Sequence, residues 1–210
     1  MSRHAHWESV YQTKADRELS WYQERPTASL ALVDSIAPRP RRVLDVGGGQ
    51  SALAGELLGG PTEVVAVLDI SAAALARARE RLGPDADRAR WIVGDVLDPP
   101  ELGEFDLWHD RAVYHFLVEE SDRRRYLETA LRTIASDGHA IIATFATTGP
   151  ERCSGLPVRR HDAATLAAEF ASHFVPERSL EERHVTPWGA TQEFVYVLLK
   201  RSPGPTQPAA

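Results

Sequence analysis

The residues best equipped for chemistry fall in four short groups: Asp45-Val46-Gly47-Gly48-Gly49, Asp69, Gly94-Asp95 and His109-Asp110. Glycine lacks a Cβ, so a run of three can take positive φ and let a ligand rest directly on the backbone. Here the run follows an apolar stretch, Val43-Leu44, and precedes an apolar-periodic segment from Ser51 onward. A strand, a glycine turn and a helix start in that order describe a nucleotide-type cofactor site at the carboxyl edge of a parallel sheet. Asp69 stands 22 residues beyond Gly47, close to the ~20 at which an acid meets ribose hydroxyls. A carboxylate accepts from both hydroxyls, and its charge strengthens those bonds. Gly47, Gly49 and Ala52 also satisfy the Gly-x-Gly-x-x-Ala spacing of hydride-transferring dehydrogenases. Taken alone, the turn therefore suits either a pyrophosphate on a helix N-terminus or a methionine tail lying over the backbone.

The elements that must hold these groups follow from patterning. Val64 to Leu68 is a β-branched run of the kind buried on both faces of a sheet, and it ends in Asp69. Ser71 caps a helix to Leu82 that Gly83-Pro84 stops. The segment Ser51 to Leu58 reads as a helix ended by Gly59-Gly60-Pro61. Trp91-Ile92-Val93 and Phe105 to His109 read as strands. Ser121 is the expected cap of a helix with Leu127, Ala130, Leu131 and Ile134 on its apolar face. Asp137-Gly138 is expected to turn into a fifth strand, Ala140 to Phe145. A loop, Thr147 to Arg160, leads to a helix capped by Asp162 with Leu166, Phe170 and Phe174 inward. Leu180 to Thr186 and Gln192 to Lys200, joined across Pro187-Trp188-Gly189-Ala190, form an antiparallel hairpin. Upstream, Trp7, Val10 and Tyr11 mark one short helix, and Thr27 to Ile36 a second.

Composition bounds the rest. At 210 residues, 43% hydrophobic and 26% charged, the chain suits one domain with a full core. A net charge of −6 argues against a surface built to neutralise nucleic-acid phosphates, and Arg123-Arg124-Arg125 reads as a solvated helix face. No apolar run approaches the ~20 residues of a membrane span, and the opening residues lack an export signal. A single cysteine, Cys153, suits a reducing compartment, with the cytoplasm expected. Neither His109, Asp110 and His115 nor any acidic cluster has metal-ligand spacing, so no metal is expected.

The full motif set resembles the class I S-adenosylmethionine-dependent methyltransferases over residues 5 to 200. Asp45-Val46-Gly47-Gly48-Gly49 matches that family's first motif, and Asp69 with Ile70 its second-strand acid. Gly94-Asp95-Val96 matches the third-strand motif, whose acid meets the adenine amino group. Phe105 to Asp110 matches the fourth strand, which faces the transferring methyl, and the terminal hairpin is the family's own sheet edge. Ser51 departs from it, standing where a third glycine is common, which puts a tight helix start in doubt. The resemblance implies S-adenosyl-L-methionine as cofactor and an α/β fold: a Rossmann-like, doubly wound, mostly parallel sheet of seven strands with an antiparallel C-terminal edge and helices on both faces. It also implies a helical lid over residues 1–40, a methyltransferase domain over 41–201 and a disordered tail over 202–210. The opening His6 to Lys14 and Ser20 to Gln23 are similar to the lid of a bacterial small-molecule and thiol branch. Trp21, Tyr22 and, behind them, Tyr11 are then expected at the methionine end.

Transfer from a sulfonium needs alignment and exclusion of water, and a base only where the acceptor holds its proton. His109, just after the fourth strand, is the candidate base and a candidate cofactor contact. His115 and Tyr114 are weaker candidates, and Arg159 or Arg160 could read an anionic substrate. Cys153 is not expected to act in catalysis. The expected partner is a small-molecule methyl acceptor, with a thiol among the candidates and neither nucleic acid nor membrane, and a monomer or homodimer is expected. A protein lysine or N-terminus as acceptor, a non-catalytic cofactor-binding regulator and a dehydrogenase remain open at this point.

Overall fold

In the computed structural model, which describes residues 2–202, the expected strands assemble into a seven-stranded sheet of order β3-β2-β1-β4-β5-β9-β8. Strands β1 (Arg42–Val46), β2 (Val64–Asp69), β3 (Ala89–Val93), β4 (Phe105–Arg111) and β5 (Ile134–Phe145) are parallel. Strands β8 (Phe174–Val185) and β9 (Thr191–Arg201) close the edge antiparallel. The chain enters at β1 in the middle of the sheet and runs outward to β3, then crosses back to β4. The switch between the two directions opens a crevice at the carboxyl ends of β1 and β4.

Successive side chains alternate between the sheet's two faces. Val43, Val65, Val67, Leu107, Ile141 and Ala143 pack against α2 (Thr27–Ser35), α3 (Leu53–Leu58) and α4 (Ala72–Leu82). Leu44, Val46, Ala66, Leu68, Trp108 and Ile142 pack against α5 (Glu120–Thr133) and α6 (Ala163–Ala168). Each fully buried aliphatic side chain contributes roughly 1.5–3 kcal/mol, so both faces must be covered. The same alternation points Asp45 and His109 toward α2, and the β1–β4 register sets them side by side.

Several boundaries differ from expectation. Helix α3 starts at Leu53 rather than Ser51, because Ser51 N–H donates to the Gly48 carbonyl at 2.6 Å and closes a turn first. Glu119, not Ser121, precedes α5, and Glu120 and Asp122 place negative charge in its first turn. The buried face of α5 is Tyr126, Thr129, Ala130 and Thr133, with Leu127 and Leu131 only packed beside the core and Ile134 already in β5. The stripe is rotated because the Tyr126 hydroxyl accepts from Trp108 Nε1 (2.8 Å) and donates to Asp110 (2.5 Å). Asp137-Gly138 does not separate α5 from a later strand. It lies within β5 as an irregularity, since Ile134 pairs with Phe105 and His139 with Leu107. The Thr147–Arg160 loop contains a small hairpin, β6 (Arg152–Cys153) and β7 (Leu156–Pro157).

The first helix, α1 (Arg3–Thr13), lies over the nucleotide side of the crevice. Glu8 accepts from Ser71 Oγ at 2.7 Å, and Arg3 bridges Asp95 (3.1 Å) and Asp122 (2.7 Å). From residue 203 onward, the tail lies outside the described residues.

Candidate active site at the carboxyl edge of the sheet

The glycine turn is as tight as its composition implies. Gly47 and Gly49 hold φ of 62° and 47°. A Cβ on Gly47 would come within 2.0 Å of Val113, and one on Gly48 within 2.6 Å of both Asp45 Oδ2 and Val67. Asp45 thus lies directly beneath the turn. Its Oδ1 is 2.7 Å from His109 Nδ1, and His109 Nε2 is 2.8 Å from the Ser29 hydroxyl on α2. An ionised Asp45 can only accept, so the network assigns the Nδ1 proton to His109 and leaves Nε2 to receive the Ser29 hydroxyl hydrogen. Asp45 and His109 are each 2% exposed. Asp45 Oδ2 has no partner, and neither does the amide of buried Gln50. These groups border a cleft lined also by Gly47, Gly48, Trp21 and Tyr22.

A larger cavity, about 860 Å³ including its open mouth, crosses the sheet edge from β3 to β9. Its nucleotide flank is Asp69, Ile70, Asp95 and Val96. Asp69 accepts from Ser71 N–H at 2.8 Å, and burial raises its carboxyl to about 7. Asp95 accepts from Leu97 N–H at 3.0 Å and faces Arg3.

The other flank comes from β4, β5 and β9. Arg111 ends β4, donates to the Tyr196 hydroxyl (2.8 Å) and the Trp21 carbonyl (3.2 Å), and stacks over Phe194 at 4.3 Å. Ala112 follows with φ of 75°, a rare conformation for alanine that turns the chain sharply out of the strand. Asp110 anchors this corner by accepting from Val113 N–H at 2.8 Å and from Tyr126. Burial raises the Asp110 carboxyl to about 6. Above the cavity, Trp7 packs edge-on to Phe116 (4.9 Å) and Trp21 (5.9 Å), and Tyr11 lies 6.1 Å from Trp21.

The structure brings most of the sequence candidates together. Gly47, Asp69, Ile70, Asp95, Val96, Tyr11 and Trp21 line the large cavity, while Asp45, Gly48, His109 and Tyr22 line the adjoining cleft. Gly49 stands between them, against Tyr11 and Asp69. His109, the candidate base, has both ring nitrogens committed to Asp45 and Ser29 and lines only the cleft. Tyr114 and His115 are buried and line neither space. Arg159 and Arg160 are paired with Glu169 (2.6 Å) and Glu151 (3.0 Å), away from both. Cys153 does line the cavity. Arg3, Trp7, Phe116, Phe145, Phe194 and Ser29 were not singled out for the site in the sequence. Trp7 and Arg3 sit on an aromatic-rich opening helix that hinted at them. Phe145, Phe194 and Ser29 carry no local signal, because only strand pairing and helix docking bring them in.

Residues 43–138 match the methyltransferase domain family. The ubiquinone/menaquinone biosynthesis C-methyltransferase UbiE of Methylobacterium nodulans is 42% identical over 125 residues, covering 55% of this chain and 48% of that protein. The chain therefore spans about half the length of the curated relative it matches. Among solved structures, the protein that converts a disulfide bond into a thioacetal group during echinomycin biosynthesis superposes with a TM-score of 0.72 at 22% identity, over 95% of this chain and 93% of that one. The 1,6-didemethyltoxoflavin-N1-methyltransferase of Burkholderia thailandensis, solved with 1,6-didemethyltoxoflavin and S-adenosylhomocysteine, superposes with a TM-score of 0.69 at 21% identity, over 95% and 87%. Residues 43–138 thus resemble a methyltransferase domain, and the whole chain shares the fold of these solved structures. Among the described residues no helix is long and apolar enough to cross a membrane, and no group of three or more His, Cys, Asp or Glu is placed to hold a metal.

Proposed function

We propose that the protein transfers a methyl group from S-adenosylmethionine to a small-molecule nucleophile in the cytoplasm, with residues 2–40 as the lid. One observation carries the reading: two buried carboxylates flank a glycine turn that has no room for a Cβ. Asp69 lies on the nucleotide side, and Asp45, with an unpartnered Oδ2, on the other. The pair suits a ligand with ribose hydroxyls at one end and a cationic amino group at the other. When bound, S-adenosylmethionine supplies an electrophilic methyl on a sulfonium, so alignment and exclusion of water fall to the protein.

In this arrangement Asp69 accepts the ribose hydroxyls, and Ile70 and Val96 supply apolar walls for the base. Asp45 Oδ2 receives the α-ammonium. His109 acts as a positioning residue, since its bond to Oδ1 and its own bond from Ser29 hold the carboxylate in one rotamer. Trp21 and Tyr22 close the methionine side, and Trp7 and Phe116 shield the cavity from water. A thiol is one acceptor this apolar chamber suits. Calorimetric titration with S-adenosylhomocysteine, with NAD(H) as control, tests the reading. Tight binding of the former alone is expected, and its failure to bind would end the proposal.

A further inference from the structure

The acceptor half of the cavity can be separated from the cofactor half by the order of the strands. Asp69 ends β2 and Asp95 follows β3 by two residues, while Phe145 ends β5 and Phe194 pairs with it from β9. Neighbouring strands lie ~4.8 Å apart, so the chamber beyond β4 begins about 10 Å from Asp69. Its walls are Phe116, Phe145, Phe194, Trp21 and Cys153, with Arg111 at the boundary.

Among the described residues, six titratable side chains line the cavity: Arg3, Tyr11, Asp69, Asp95, Arg111 and Cys153. None offers a base to an acceptor beside Phe145. Asp69 and Asp95 are on the nucleotide flank, and Asp95 is bonded to Arg3 and the Leu97 amide. The Tyr11 phenol is raised by burial, and the Cys153 thiol is pushed up to about 11 by burial, so both hold their protons. The two arginines are cations with partners of their own: Arg3 pairs with Asp95 and Asp122, and Arg111 with the Glu182 carboxylate at 3.3 Å, which is held by Tyr196 and Gln23 and does not line the cavity. His109 lies behind the glycine turn with both nitrogens bonded.

We infer that the acceptor is an aromatic acid that ionises by itself, an aryl thiol or an acidic phenol, bound as its anion between Phe145, Phe194, Phe116 and Trp21 beside Arg111. This rests on the methyltransferase reading above and narrows it. The acceptor's S–H or O–H proton passes to bulk water before transfer. The anion then forms its bond to the methyl carbon as the sulfonium C–S bond breaks, and that electron pair stays on sulfur. A ring stacked among aromatic side chains gains about 0.5–1.5 kcal/mol per favourable pair beyond its buried area. A lysine amine, of ordinary pKa near ~10.4, would need a base that this chamber does not present.

The test uses the whole protein with S-adenosylmethionine and para-substituted thiophenols of graded acidity, with benzylamine and benzyl alcohol as ring-matched acceptors. The expected kcat/KM for each thiophenol rises with pH to that thiol's own pKa and then levels, so the break moves with the acceptor. Benzylamine and benzyl alcohol are expected to react at least 100-fold more slowly. A break at one pH common to all acceptors would reveal an enzyme base and overturn the inference. So would comparable rates with benzylamine, or no thiophenol turnover by protein that binds S-adenosylhomocysteine. Absence of S-adenosylhomocysteine binding would instead remove the methyltransferase reading itself.

Discussion

Replacing His109 by phenylalanine keeps a ring of similar size but removes both of its hydrogen bonds. Asp45 then has neither carboxylate oxygen partnered at 2% exposure, and the Ser29 hydroxyl loses the acceptor 2.8 Å away. Removing the partner of a hydrogen bond to a buried charged group costs about 1.5–3 kcal/mol. For a chain of this length each kcal/mol moves Tm by about 2–4 °C, so the expected fall is roughly 3–12 °C. His109→Gln, whose amide can still donate to Asp45, should lose less. The double variant Asp45→Leu/His109→Phe should recover much of the loss, because removing both partners leaves no orphaned charge. Calorimetric melting supplies the stabilities, and titration with S-adenosylhomocysteine the affinity. His109→Phe is expected to weaken that affinity at least tenfold by freeing the Asp45 rotamer. The reasoning is refuted if His109→Phe melts within 2 °C of the parent and binds S-adenosylhomocysteine normally yet loses 100-fold in kcat. That pattern belongs to a catalytic base.

Four further outcomes follow from the same geometry. Burial raises the Asp69 carboxyl to about 7 in the folded protein. Its contribution to stability is therefore full below the ordinary carboxylate pKa and lost as pH rises through 7. Asp69→Asn should accordingly gain in Tm relative to the parent as pH goes from 4 to 7, and a flat difference would contradict this. Ribose hydroxyls donating to the ionised form should release a proton on cofactor binding at pH 6, which titration in two buffers of different ionisation enthalpy detects. His115 is 0% exposed with both ring nitrogens unpartnered, and burial lowers its pKa to about 3. Its folded form resists protonation, so stability falls with pH below the ordinary histidine pKa, and His115→Phe should raise Tm more at pH 5 than at pH 8. Gly48→Ala drives a methyl against Asp45 and Val67. It should cost about 1–3 kcal/mol of stability, as overpacking does, and weaken S-adenosylhomocysteine binding at least tenfold by titration.

Much of the frame was legible because it depends on local rules. Apolar runs at Val64–Leu68 and Phe194–Leu199, the Ser71 and Asp162 caps, and the Gly83 stop each act within a few residues. The misplaced boundaries had competing long-range causes. Tyr126 turned α5 by its bonds to Trp108 and Asp110, and pairing with Phe105 drew Ile134 into β5 ahead of the Asp137-Gly138 turn.

The sequence by itself determined the order of elements, the glycine turn and the acids at or just beyond the carboxyl ends of β1, β2 and β3. Periodicity and the absence of a Cβ act over distances the chain spells out directly. Only the tertiary structure decided where the His109 ring sits. Its position after the fourth strand suggested a base, but strand register places it beside Asp45, and docking of α2 brings Ser29 onto its second nitrogen. The acceptor chamber has the same origin. Phe145 and Phe194 are 49 residues apart and meet through antiparallel pairing across the sheet edge. A pocket wall assembled from four distant segments leaves no local pattern in any one of them.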